Sequence, residues 1–598
     1  MIFEAILNRA PVAPVRLNPE VPAKLEEIIN KALEKDRELR CQSAAELRAD
    51  LKRLKREIDT GKSSVSSAQA SSEVSRAATV PVVSAISTAT VSTASSQIAV
   101  PDSSPRWRRK SVLAVAVMGL LVLLGAGGWF YRSSGQSGET IDSVAVLPFV
   151  NANGDPNSEY LSDGITESLI NSLSQLPHLK VMSRDSAFMY KGKQTSVQTV
   201  GRELGVRAVL EGRIMKSGDT LSISTELVDT RDNSHIWGQQ YDQKLADVIA
   251  LRNEIAKEMT TALRMRLSGD DEKRMAKSYT ANPEAYQDYL KGRYWWNKAN
   301  EEGIRKGIEY FQQAIAKDPG YAQPYAGLAD SYAILAGGGV VPPKEAYPKA
   351  KEAAQKALEI DDTLAEAHIP LAVVKAGYDW DLPGSEDEFR RAIALNPSSA
   401  RAHQAYGLIL LGSTGRFEEA IVELKRALEL DPLSPLISTN LGTVLFHARR
   451  YDQAIEQDRK VLELDPNFLA AEFFLGETYV QKSMYKEGIA ELEKALAISP
   501  GYTPVLSGIG YAYAVAGIRA EAQKMLDKLN ELSKQKYVPA VSRAIIYAGL
   551  GEKDKAFEWL EKGYEERSTY GIKADPAYDP LRSDPRFADL LRRMNLQP

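Results

Sequence analysis

Pro432–Pro500 reads PLSPLISTNLGTVLFHARRYDQAIEQDRKVLELDPNFLAAEFFLGETYVQKSMYKEGIAELEKALAISP. Its three marker prolines, Pro432, Pro466 and Pro500, stand 34 residues apart. Proline cannot continue a helix, so each closes one helix pair. Going upstream, Pro397 lies 35 residues before Pro432. Asp362 takes the proline's place 35 residues before that, and Pro319 precedes it by 43. An insertion from Gly337-Gly338-Gly339 to Pro342-Pro343 accounts for the longer step. Internal positions keep the same 34-residue step: Leu441-Gly442, Leu475-Gly476 and Ile509-Gly510; Tyr479, Tyr513 and Tyr547; Ala454, Gly488, Ala522 and Ala556. The small residues let two helices approach closely, and the Leu and Tyr positions fill the space between successive pairs. One pair cannot bury its apolar face alone, so the pairs must stack.

The period and these positions resemble the tetratricopeptide repeat family over residues 282–571, about eight pairs. The resemblance implies an α-solenoid whose concave groove is lined by the first helix of each pair. It points to Thr439, Thr443, Phe446, Phe473, Glu477 and Tyr511 as groove residues for a protein or peptide. The segment 572–598 contains DPRFADLLRRMNL and is expected to cap the solenoid's end.

Residues 141–268 have a different pattern. Ser143–Val150, SVAVLPFV, is a nearly continuous apolar run, as in a strand covered on both faces. Ser158–Leu176 has a helical period, and Leu179–Ser183 reads as a short strand. Ser196–Leu204 reads as a helix closed by Gly205. Three strands follow, Val206–Lys216, Thr220–Asp229 and Ser234–Tyr241, then a helix over Leu245–Leu267. The order predicts a mixed sheet with helices packed on it. VAVLPF, EYLSDGITESLINSLSQLP, ELGVRAVLEGRI and HIWGQQYD resemble the TolB-N-terminal-like domain of bacterial signalling proteins. Ser162-Asp163-Gly164 reads as a helix start or turn rather than a catalytic site.

Ser111–Tyr131, SVLAVAVMGLLVLLGAGGWFY, has 21 residues and no charge. As a helix it covers roughly 30 Å, one bilayer core. Arg106, Arg108, Arg109 and Lys110 precede it, and Trp129, Phe130 and Tyr131 end it. The expectation is one span of the bacterial inner membrane, with the basic side cytoplasmic and the later domains periplasmic or extracellular.

Residues 1–59 resemble the final part of a bacterial serine/threonine protein kinase C-lobe, with Asp36 and Arg40 matching a structural Asp-x-x-x-Arg motif. No Gly-rich loop, His-Arg-Asp or Asp-Phe-Gly stands before the apolar segment, so these residues are not expected to transfer phosphate. Residues 60–110 are rich in Ser, Thr, Ala and Val and read as a disordered tether with a basic flank.

A net charge of −4 over 598 residues makes no case for nucleic-acid binding. Cys41 is the sole cysteine, so no internal disulfide forms. The five histidines, His178, His235, His368, His403 and His447, have no ligand-like spacing. No catalytic, metal or cofactor residues are assigned. The chain therefore reads as multidomain and mainly α: kinase-tail remnant, transmembrane helix, α/β domain and tetratricopeptide solenoid. Its expected role is non-enzymatic protein–protein interaction in signalling. The rival readings are the carboxyl part of a truncated transmembrane serine/threonine kinase and a structural envelope scaffold.

Overall fold

The computed structural model describes residues 141–265 except 177, then 267–269, 271, 277 and 280–597, together with Lys24, Leu25, Ile28 and Lys31. Asp36, Arg40, the tether and Ser111–Tyr131 lie outside the described residues. Among the described residues no helix is long and apolar enough to cross a membrane.

The α/β domain is a mixed sheet. Its strands are β1 (Ser143–Val146), β2 (Val150–Asn151), β3 (Lys180–Val181), β4 (Ala208–Ser217), β5 (Thr220–Asp229) and β6 (His235–Lys244). The order is β3-β1-β4-β5-β6, with β2 also on β4. β1 pairs in parallel with β3 and β4, while β4, β5 and β6 form an antiparallel meander. The apolar run SVAVLPFV is two strands rather than one. Pro148 has no N–H to give the ladder, and the chain breaks there. Val144 and Val146 face one core while Ala145 and Leu147 face another, so β1 is covered on both sides.

The helices are α1 (Glu159–Ser174), α2 (Arg184–Phe188), α3 (Val197–Leu204) and α4 (Val248–Ala262). α2 has no counterpart in the sequence reading, because five residues are too few to show a helical period. Ser162-Asp163-Gly164 lies inside α1 and is buried, which corrects its reading as a helix start or turn. A Cβ on Gly164 would stand 2.8 Å from Leu290, so glycine here lets the first repeat helix press against α1.

Eight helix pairs follow. They are α5 (Pro283–Trp296) with α6 (Glu301–Lys317), α7 (Ala322–Gly337) with α8 (Pro343–Ile360), α9 (Ala365–Val374) with α10 (Leu382–Leu395), and α11 (Ala400–Ala405) with α12 (Phe417–Leu430). The later four are α13 (Pro435–His447) with α14 (Tyr451–Leu464), α15 (Leu469–Gln481) with α16 (Tyr485–Ile498), α17 (Thr503–Val515) with α18 (Arg519–Leu532), and α19 (Val541–Gly549) with α20 (Lys553–Glu566). Gly476 shows why the 34-residue step carries small residues. A Cβ there would meet Leu492 Cγ at 2.7 Å and the Gly488 carbonyl at 3.0 Å.

Two packing features set the site. The α/β core and the first repeats are continuous, since Ala285, Tyr286, Leu290 and Tyr321 belong to the same buried cluster as Leu161, Ile165 and Leu169. The tail first reaches back to earlier repeats and then packs on the last helix pair. Tyr570 donates to Ser413 Oγ at 2.8 Å, Arg449 reaches the Ala574 carbonyl at 2.7 Å and Asp579 at 2.6 Å, and Asn595 bonds the Trp380 carbonyl at 3.1 Å. Arg567 lies 3.7 Å over the Trp380 ring, which stacks on Tyr564 at 4.8 Å. Helix α21 (Pro585–Arg593) then places Phe587, Leu590 and Leu591 in the core of the last repeats.

Candidate binding cavity

The tail packs beside part of the expected groove. Thr439, Thr443, Phe446 and Tyr511 are buried, and Phe473 and Glu477 are only partly accessible. Phe473 packs against the cluster that holds Tyr511, Ile572 and Tyr578. Phe446 shares its cluster with Tyr570. Burial, with the nearby Asp575, lifts the Glu477 carboxyl well above the usual range. Burial likewise pushes Asp575 up to about 6, against the pull of its Ala577 N–H bond, Arg449 and Arg582. Phe446, Phe473, Glu477 and Tyr511 thus have tail residues as neighbours, while Thr439 and Thr443 are buried.

The open part of the concave side is upstream. A cavity of about 720 Å³ lies between the α/β domain and the first five pairs. Glu167, Ile170, Asn171 and Ser174 reach it from one face of α1, at helical spacing. Ser183, Arg184 and Met189 add the chain after β3. The solenoid wall comes from first helices: Tyr289, Arg293 and Trp296 of α5, Ala326 and Asp330 of α7, Glu366 and Ile369 of α9, Arg401 and Gln404 of α11, and Leu436 and Ile437 of α13.

Glu167 ties the two halves together. Its carboxylate takes Arg293 at 2.6 Å, Asn297 at 2.8 Å and Arg184 at 3.3 Å. Burial opposes its charge, yet Arg293 and Arg184 hold the carboxyl below the usual range. On the far wall Arg401 pairs with Asp330 at 2.5 Å. Glu366 stands at the start of α9, and burial raises its carboxyl above the ordinary value against the pull of its own backbone N–H and of Arg293.

Asp431 holds the rim where α2 meets α12. Its Oδ1 accepts from the Ser186 N–H at 3.0 Å and from the Ser186 hydroxyl. Burial and neighbouring Asp185 push its carboxyl up to about 6, outweighing those bonds. The folded form therefore binds a proton more tightly than the unfolded chain. The contribution is present below about pH 4 and is lost as pH rises through 6, about 3 kcal/mol by linkage. Urea midpoints of wild type and Asp431→Asn should converge near pH 4 and diverge by pH 8, with Asp431→Asn the more stable. Parallel curves from pH 4 to 8 would refute this.

Comparison with known proteins agrees with the repeat assignment. The tetratricopeptide repeat family matches residues 381–435, 412–468 and 439–503, so this chain carries tetratricopeptide repeats. Residues 140–258 match the second domain of HilA/YgeH-like transcriptional regulators, and a TolB-like assignment is not shown. A relative from Rhizobium meliloti (strain 1021), named "Putative adenylate cyclase 3", is 34% identical over 234 residues, 39% of this chain and 40% of its own length. The chain thus spans two fifths of that relative. Neither match is to a kinase, and the kinase origin expected for residues 1–59 is not shown. Among solved structures, the repeat protein YrrB, described as having an unusual peptide-binding site, is 24% identical. It covers 33% of this chain and 97% of its own, with a TM-score of 0.24. Pseudomonas aeruginosa pilF is 26% identical and covers 35% of this chain and 93% of its own, with a TM-score of 0.27.

Proposed function

We propose that this chain is a non-enzymatic interaction protein that receives a short segment of a partner in the cavity between its α/β domain and its first five helix pairs. The cavity carries the reading. Its volume falls within the range that holds small ligands, roughly 300–1,000 Å³, or a few peptide residues. Its walls are mainly apolar, with a few convergent polar groups. Tetratricopeptide repeats suit protein or peptide partners, and the tail leaves this part of the concave side open. The uncharged Ser111–Tyr131 and its basic flank are the ground for placing the chain in an inner membrane with these domains outside.

The test is selection of phage-displayed heptapeptides on the full chain. Gln404 lines the wall, and Gln404→Trp narrows the cavity. Selected peptides should lose at least tenfold in affinity for Gln404→Trp, compared at a temperature where circular dichroism shows both proteins folded. Peptides that bind both proteins equally would place recognition elsewhere and end this reading.

A further inference from the structure

We propose that the cavity selects a primary ammonium on an apolar stem, and that Glu366 is the counter-charge that holds it. The inference rests on the cavity being the binding site.

Charge bookkeeping on the walls carries it. Five carboxylates line or rim the cavity, Glu167, Asp185, Asp330, Glu366 and Asp431, against three guanidiniums, Arg184, Arg293 and Arg401. The guanidiniums are committed. Arg293 and Arg184 share Glu167, Arg184 also reaches Asp185 at 3.4 Å, and Arg401 holds Asp330. Asp431 is engaged by Ser186. Among the described residues Glu366 has no side-chain hydrogen bond or ion pair; it feels Arg293, which Glu167 already holds, is near the Tyr289 phenol and lines a mainly apolar cavity. A partly buried carboxylate whose neighbouring guanidinium is paired elsewhere is incompletely compensated, so a cation from outside gains more there than at the open surface. A carboxylate without a side-chain partner favours a donor-rich group, and an ammonium brings three N–H donors and no acceptor. An anionic ligand would have to break the Glu167 or Asp330 pairs first.

A lysine side chain of a partner segment and a free alkylamine share this chemistry. The test uses the full chain in isothermal titration at pH 7.5, with end-blocked Leu-Lys-Leu, its Nζ-acetylated form and n-butylammonium as probes. The lysine tripeptide should bind at least tenfold more tightly than the acetylated one. Glu366→Gln should reduce it to the level of the acetylated peptide without lowering the melting temperature. Competition by n-butylammonium would support the inference with a free amine as a sufficient ligand. Binding by the peptide alone would support it with a lysine side chain as the source. Equal binding of the two tripeptides, or a lysine preference that survives Glu366→Gln, overturns it, as does absence of saturable binding by all three probes. The Gln404→Trp result decides separately whether the cavity binds peptides at all, so the two failures are distinguishable.

Discussion

A chain ended after Arg567 is expected to lose cooperative folding of its last repeats, with a fall in melting temperature of more than about 10 °C. The cut removes Ile572, Tyr578, Leu581, Phe587, Leu590, Leu591 and Met594, all of them buried in one cluster with the last helix pairs. At roughly 1.5–3 kcal/mol for each large apolar side chain, the loss is on the order of 10 kcal/mol. A domain of this size shifts by roughly 2–4 °C for each kcal/mol. The cut also strips the cover from Phe473 and Tyr511, which pack in that cluster. The single change Phe587→Ala tests the same point more gently and should cost about 3–5 kcal/mol. Thermal melts followed by circular dichroism, with dye binding to report exposed apolar surface, provide the measurement. A truncated chain that melts within about 3 °C of the full one would make the tail a loosely seated occupant of the groove and not part of its core.

Glu167→Ala is expected to cost about 3–5 kcal/mol and to loosen the α/β domain from the repeats. Removing one partner of a buried pair leaves the other charge uncompensated. Here two guanidiniums, Arg293 and Arg184, lose their shared carboxylate, and the Asn297 amide loses an acceptor. Arg293 stands on the first repeat helix and Arg184 on α2, so the defect falls at the seam between the domains. Urea unfolding should change from one transition to two, and limited proteolysis should cut between residues 262 and 283 faster than in wild type. A single transition at an unchanged midpoint would show that apolar contacts such as Gly164 against Leu290 hold the seam alone.

The register of the repeats was legible, and the place of the cavity was not. Thr439 occupies the position that faces inward on its repeat. The marker steps of 35, 35 and 43 residues, followed upstream, lead from Thr439 to Gln404, Ile369 and Ala326. All three line the cavity. The expected groove residues belong to later pairs, where Phe446, Phe473 and Tyr511 pack with tail residues. Arg293, Asp330 and Glu366 carried no local signal. A charged residue on a helix face usually marks solvent, and only packing of α1 across the concave side makes these three line a cavity.

The sequence by itself determined the elements that depend on neighbours along the chain. The 34-residue step set the repeats, because each pair buries its face only against the next. The alternation of apolar runs and helical periods set the mixed sheet. Tertiary structure alone decided three matters: that the α/β domain and the first repeats share one core, that the tail packs into the core of the last repeats, and that the cavity beside α1 is lined by Glu366. Each joins segments far apart in sequence, where burial and charge pairing are properties of the assembled fold, and no periodicity of the chain records them.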